Sequence, residues 1–427
     1  MQHKTSLKPF ERILIDRLFD WGVVETDEAR MPDWVVQGFF LKLGRALGTG
    51  ESLSALADLF GDEIGRSAPE IPDYVYGPYY KGVPLAALTS IKLEEKGRKP
   101  VVFGFSLPHD STIGIKEAFN RRFDGVGGDF GRDVREVERI YVTYDDTKDS
   151  SSLRAWSRER AAALQNFFDP NPGETSNRFN LIVGDGSAIP AAAAVAAEMA
   201  QHGRNPYFAI PRRTSQSVEE AGRTYETNYG HYFERELASA RADGLNDNDA
   251  KTRARERAKA SAQDDAQERL FVGYAPDDSR YVLFQPFKEE VPAKKAASRP
   301  RAFGQPTKAG GSYIVVDDSM VTGRAMKSAA HEVSMRYGNG DRTMRFLGGF
   351  SIVHIQEIPP QMAGKRGLAS ASSMRQETEP RLALHPMITT PQIAEYLWAA
   401  GKLSGAGYQR YLVARGRYGI ENYMLPQ

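Results

Sequence analysis

Residues 73–105 read DYVYGPYYKGVPLAALTSIKLEEKGRKPVVFGF, and residues 180–210 read NLIVGDGSAIPAAAAVAAEMAQHGRNPYFAI. Each is an apolar strand, a glycine loop, a proline, a helix, Gly-Arg-x-Pro and a second apolar strand. Pro84 stands from Gly97 as Pro190 stands from Gly203, so the two helices share a length and an exit. A match of this kind is one supersecondary unit used twice. Continuous apolar strands such as LIVG and YIVV, alternating with amphipathic helices, predict a parallel sheet covered on both faces. The fold class is therefore α/β, with ligands expected at the carboxyl ends of the strands.

The most chemically pointed stretch is IVVDDSMVTGRAM, residues 314–326. Two carboxylates at the end of a buried strand, followed by Thr-Gly and a helix, can do two jobs within a few ångströms. The acids accept hydrogen bonds from vicinal sugar hydroxyls or hold magnesium through water, while turn amides and the helix N-terminus receive a phosphate. One acid would suffice to cap the helix, so the second argues for a ligand. A weaker echo, YVTYDD, ends at Asp146.

Bulk composition narrows the field. The 427 residues exceed one ordinary core and predict two domains or one domain with a large insertion. With 56 basic against 55 acidic residues the formal charge is +1, which gives no electrostatic case for nucleic-acid or membrane binding. There is no cysteine, so thiolate metal sites and disulfides are excluded. The opening MQHKTSLKPF has no signal-peptide core and the longest apolar run is broken by Glu198, so a soluble, cytoplasmic protein is expected. The seven histidines show no zinc spacing. His109 reads as a solvent loop residue, and GVGGDFG at 125–131 lacks the Lys-Ser/Thr of a P-loop.

The acidic stretch resembles the phosphoribosyl-pyrophosphate loop of the type I phosphoribosyltransferase family, and among its branches the chain looks most like the orotate phosphoribosyltransferases. GPYYKG at 77–82 is similar to that family's pyrophosphate loop. LKPFERILIDRLFDWGVV resembles its opening helix, and GGFSIVHIQEI and ITTPQIAEYLWAAGKLSGAGYQRYLVARGRYG its last strand and closing helices. LFQPFKEEVPAKK is more loosely similar to its basic catalytic loop.

The resemblance implies a phosphoribosyltransferase-like domain from residues 1–104, with an N-terminal hood over 1–68, and 281–427. Residues 105–280 would be an inserted, degenerate second α/β core with a charged helical arm at about 234–270, read as solvated. It implies transfer of phosphoribosyl from phosphoribosyl pyrophosphate (PRPP) to a nucleobase or related acceptor with release of pyrophosphate, as in pyrimidine nucleotide metabolism. The alternatives are a non-catalytic nucleotide-binding regulator and a nucleotide-cleaving enzyme. The implied PRPP contacts are Gly77, Pro78, Tyr79, Tyr80, Lys81, Gly82, Asp317, Asp318, Ser319, Met320, Val321, Thr322, Gly323, Arg324 and Ala325. Asp317 and Asp318 would also meet Mg2+, and Lys81 and Lys288 would share the catalytic work, with Lys294 and Lys295 as further loop cations. A homodimer or an internal pseudo-dimer is expected.

Val321 and Arg324 depart from the small hydroxyl residues usual in the phosphate loop. The hood stretch DEARMPDWVVQ at 27–37 stands where orotate enzymes hold their base. Asp27 and Glu28 carry the wrong sign for a carboxylated pyrimidine and only Arg30 could compensate, so orotate is not the expected acceptor. Each repeat copy is incomplete, one lacking Thr-Gly after its acids and the other the loop lysine. The loops at 77–82 and 317–323 are therefore expected to form one composite site.

Overall fold

The computed structural model describes residues 7–26, 38–97, 99–107, 122–123, 128–129, 135–143, 145–165, 179–212, 215–275, 279–287, 301–304, 306, 311–320, 323–337, 344–355 and 383–418. The chain opens with α1 (Pro9–Asp20), β1 (Val24–Glu25), β2 (Phe40–Leu41) and α2 (Gly50–Ser67). The first repeat copy follows as β3 (Tyr74–Gly77), α3 (Gly82–Gly97) and β4 (Val102–Leu107). A short hairpin, β5 (Arg122–Phe123) with β6 (Gly128–Asp129), precedes β7 (Arg135–Val142) and α4 (Ser150–Gln165). The second copy is β8 (Phe179–Gly184), α5 (Ile189–Gln201) and β9 (Tyr207–Pro211). Two long helices, α6 (Ser215–Ala242) and α7 (Asp247–Leu270), lead to β10 (Phe271–Gly273) and β11 (Ser279–Pro286). The chain closes with β12 (Arg301–Phe303), β13 (Ser312–Met320), α8 (Arg324–Tyr337), β14 (Arg345–His354), β15 (Leu384–Thr389), α9 (Thr390–Ala399) and α10 (Gly405–Tyr418).

These strands form two main sheets. One runs β12-β4-β3-β13-β14-β15 and the other β10-β9-β8-β11-β7. Both are parallel except for an edge strand, β12 or β10, that pairs antiparallel with the closing strand of its repeat copy. The α/β expectation holds, and two parallel sheets are present. Strand β11 lies between β8 and β7, so residues 281–286, assigned from sequence to the outer domain, belong to the inserted sheet.

The two copies face each other. Helix α5 is buried along almost its whole length and α3 from Gly82 to Ile91, as helices packed on several sides must be. With α2 and α4 they form a layer between the sheets, and one hydrophobic core joins Val75, Phe103 and Ile314 of one sheet to Ile182, Phe208 and Val282 of the other. The exchange is reciprocal. Gly50, opening α2, donates its N–H to the Pro206 carbonyl at 2.9 Å just before β9. Ser150, opening α4, donates its N–H to the Val101 carbonyl at 3.1 Å, and its hydroxyl accepts the Val101 N–H at 2.9 Å, just before β4. Each copy's second strand is thus approached by the helix that precedes the other copy.

The arm differs from its expected solvated form. It begins at Ser215, and it covers the outer face of the inserted sheet through Tyr225, Tyr232, Ala258, Ala262 and Ala266 packed on Leu181, Val183 and Leu283. Ala250, Ala254, Ala258, Ala262 and Ala266, every fourth residue of α7, are all buried and form a narrow seam. The ends of the chain meet as well, since Asp16 of α1 accepts the Tyr396 hydroxyl at 2.7 Å and Lys402 Nζ at 2.8 Å. No helix among the described residues is long and apolar enough to cross a membrane.

Candidate functional site

The register between β3 and β13 builds the site. Asp73 donates its N–H to the Ser312 carbonyl at 3.0 Å, and its carboxylate accepts the Ser312 N–H at 3.0 Å and hydroxyl at 3.2 Å. This fixes Tyr313, Ile314 and Val315 opposite Tyr74, Val75 and Tyr76. The loop leaving β3 then has to turn against Val316 to Asp318. It does so on two glycines. A Cβ on Gly82 would lie 2.6 Å from Pro78 Cδ and 2.9 Å from the Val316 carbonyl oxygen, and one on Gly77 would collide with the Gly82 backbone. Only hydrogen at these positions lets the 77–82 loop fold onto the neighbouring strand.

The loop delivers Lys81 to the acids. Lys81 Nζ donates to Asp318 Oδ2 at 2.6 Å although 237 positions separate the two residues. Asp318 is almost buried, and its other oxygen accepts the Ser319 hydroxyl at 3.2 Å. Asp317 Oδ1 accepts the Asp318 N–H at 2.9 Å. Asp317 is partly accessible as a residue, but its carboxyl is desolvated. That desolvation, reinforced by the neighbouring Asp318 charge and opposed by Lys81, holds its pKa well above the usual carboxylate range. Pro78, Tyr79 and Tyr80 line the same loop, partly exposed.

Strand β13 does not end at the acids, where the sequence placed its end. It continues to Met320, pairing Asp317 with Ser351 and Met320 with His354. Gly323 then takes φ 71°, a left-handed turn that favours glycine, and its carbonyl accepts the Lys327 N–H at 2.9 Å as α8 begins. Ala325 is exposed in the first turn of that helix. Val321, Thr322, the Arg324 side chain, Lys288, Lys294, Lys295 and the hood stretch 27–37 lie outside the described residues.

Among its described residues the inserted sheet lacks this constellation. The strand beside β8, in the place that β13 takes beside β3, is β11, which ends in Gln285 and Pro286. The acidic echo is therefore not its counterpart. Asp146 accepts the Thr143 N–H at 2.7 Å and hydroxyl at 2.8 Å and closes a local turn. The second glycine loop packs instead against a proline, with Pro286 Cγ 3.5 Å from where a Cβ on Gly186 would stand.

One residue was missed in the sequence. Arg212, just after β9 of the inserted sheet, places its guanidinium 5.9 Å from the ring centre of Tyr80 in the other sheet's loop. The signal was available, because in PRR at 211–213 an arginine pair follows a parallel strand at its carboxyl end.

For magnesium, Asp317 and Asp318 offer the right donor chemistry, hard oxygens on adjacent residues. Among the described residues no group of three or more His, Cys, Asp or Glu gathers to form a cage. The set fits an ion that also takes ligands from a phosphorylated substrate.

No family model matches the chain. Parts of it are similar to curated orotate phosphoribosyltransferases. Against that of Chromohalobacter salexigens the identity is 29% over 101 residues, 24% of this chain and 42% of the relative. Against that of Kluyveromyces lactis it is 30% over 144 residues, 33% of this chain and 58% of the relative. Against that of Acinetobacter baumannii it is 34% over 85 residues, 20% of this chain and 38% of the relative. The chain thus spans about half the length of the curated relatives it matches. A solved orotate phosphoribosyltransferase from Francisella tularensis aligns over 95% of this chain and 99% of its own, at 11% identity and a TM-score of 0.38.

Proposed function

We propose that this chain, a relative of the orotate phosphoribosyltransferases in the type I phosphoribosyltransferase family, transfers phosphoribosyl from PRPP to a nucleobase or related acceptor and releases pyrophosphate. The observation that carries the reading is the convergence of Lys81, in the loop after β3, and Asp318, in β13, at 2.6 Å although they are far apart in sequence. A binder of simple sugar phosphates needs no lysine loop beside its diol-accepting acids.

In this reading Asp317 and Asp318 accept the ribose hydroxyls, and backbone amides over Val321 to Ala325 take the 5-phosphate at the start of α8. Lys81 and the Gly77–Gly82 amides hold the departing pyrophosphate. Ser319 and Met320 extend β13 beyond the acids toward the substrate phosphate. Magnesium, when bound with the substrate, would supply charge neutralisation at the phosphates. The rest of the catalysis is positioning and stabilisation of the leaving group's charge, with water excluded by a basic loop to which Lys288 would belong. Arg212 adds a cation from the opposite sheet.

A neutral base is the proposed acceptor, because Asp27 and Glu28 in the hood disfavour the orotate carboxylate. Purified protein incubated with PRPP, magnesium and a panel of orotate, uracil, hypoxanthine, adenine and nicotinic acid tests both statements. Pyrophosphate release with a neutral base supports them, and faster consumption of orotate overturns the acceptor assignment. PRPP binding with no turnover on any base would instead identify a regulator.

A further inference from the structure

We propose that the Lys81–Asp318 ion pair is a latch that makes recognition bipartite: the site favours a ligand presenting a sugar diol and a diphosphate together and holds either fragment alone weakly. The inference rests on the phosphoribosyl reading above and concerns how that site selects its ligand.

The pair is close and shielded. The two charged atoms are 2.6 Å apart, and the side chains are 26% exposed for Lys81 and 6% for Asp318. Asp318 has both oxygens engaged, one by Lys81 and one by the Ser319 hydroxyl. Drawing Lys81 away would leave Asp318 without the cation it is paired with.

Each fragment therefore meets an obstacle. Pyrophosphate can reach Lys81 only by taking it from Asp318, which leaves an almost buried carboxylate uncompensated beside a new anion. A sugar diol can reach Asp318 Oδ2 only by displacing Lys81 into a site with no anion to receive it. A ligand carrying both groups supplies hydroxyl donors to Asp318 and anionic oxygens to Lys81 in one event, so the cost of parting the pair is met once. By linkage, whichever fragment binds first parts the pair and thereby helps the other. Pyrophosphate and ribose 5-phosphate, although both anions, should then bind with positive coupling.

Calorimetric titration of the full-length protein with inorganic pyrophosphate, with and without saturating ribose 5-phosphate, tests this. Wild type should bind pyrophosphate more tightly when ribose 5-phosphate is present. Asp318→Asn should bind pyrophosphate alone about tenfold more tightly than wild type, because Lys81 is released, and should lose the coupling. Asp317→Asn alters the neighbouring carboxyl without removing the acid that holds Lys81 and serves as the control for a change elsewhere in the acid pair, with circular dichroism checking that both variants fold. Unchanged pyrophosphate affinity in Asp318→Asn, an equal gain in Asp317→Asn, or negative coupling in wild type overturns the latch, while PRPP turnover by wild type leaves the function standing. Failure of wild type to bind PRPP removes both.

Discussion

The guanidinium of Arg212 lies 5.9 Å from the ring centre of Tyr80, and the two residues belong to different sheets. The inserted core therefore reaches the loop that carries Lys81. Arg212→Ala is expected to lower kcat/KM for PRPP by about tenfold or more, the scale of one charge-assisted contact to an anionic substrate, with little change in thermal midpoint. Arg212→Lys should recover part of that loss. Steady-state kinetics of both variants check it, and wild-type kinetics in Arg212→Ala would show that the contact only packs.

Gly82 tolerates no side chain where it stands. A Cβ would lie 2.9 Å from the Val316 carbonyl oxygen and 2.6 Å from Pro78, both held by backbone. Gly82→Ala should cost about 1–3 kcal/mol of stability and separate Lys81 from Asp318. Denaturant melts together with pyrophosphate binding measure the two effects. Gly65, where an added Cβ would point into open space, is the matched control and should accept alanine without loss.

Asp317 makes the fold sensitive to pH in an unusual direction. Its carboxyl pKa is raised in the folded chain, chiefly by burial and then by Asp318, so the folded state holds a proton that the unfolded state gives up near the ordinary value of 3.8. Stability linked to this group is therefore present at low pH and is lost as pH rises from the unfolded value through the raised folded one. Asp317→Asn removes that penalty and can still accept the Asp318 N–H. Its thermal midpoint at pH 7 should equal or exceed that of wild type, the difference shrinking toward pH 4, while PRPP binding is lost. A midpoint several degrees lower at pH 7 would contradict this.

A buried polar knot ties the root of the hood to the arm. Asp265 accepts the Tyr232 hydroxyl at 2.6 Å and Asn228 Nδ2 at 2.7 Å, and the ammonium of Lys42, itself 3% exposed, lies 3.5 Å from its other oxygen. Arg45 pairs with Asp264 beside it. Asp265→Ala takes a buried carboxylate away from the buried Lys42 ammonium and should cost about 3–5 kcal/mol. Asp264→Ala, at a more exposed position, should cost less, and chemical denaturation of the two variants separates them.

The sequence by itself determined the local units and the chemistry of the site. Strand, glycine loop, proline and helix recur in 73–105 and 180–210 because backbone sterics and hydrophobic periodicity act over a few residues. The lysine loop and the acid pair were legible as residue types for the same reason. Tertiary structure alone decided which strand stands beside which. YVTYDD looks like YIVVDD, yet β11, ending in Gln285 and Pro286, takes the place beside β8, because sheet pairing depends on contacts between residues distant in the chain. The arm was misread as solvated because its apolar face is alanine. Residues that small give little hydropathy contrast against a charged background, and only the close approach of α6 and the inserted sheet shows that the seam is buried. Arg212 stands in a repeat copy that has lost its own acids, and its place beside Tyr80 follows from the two sheets packing face to face across a shared helical layer, an arrangement that no local run of sequence encodes.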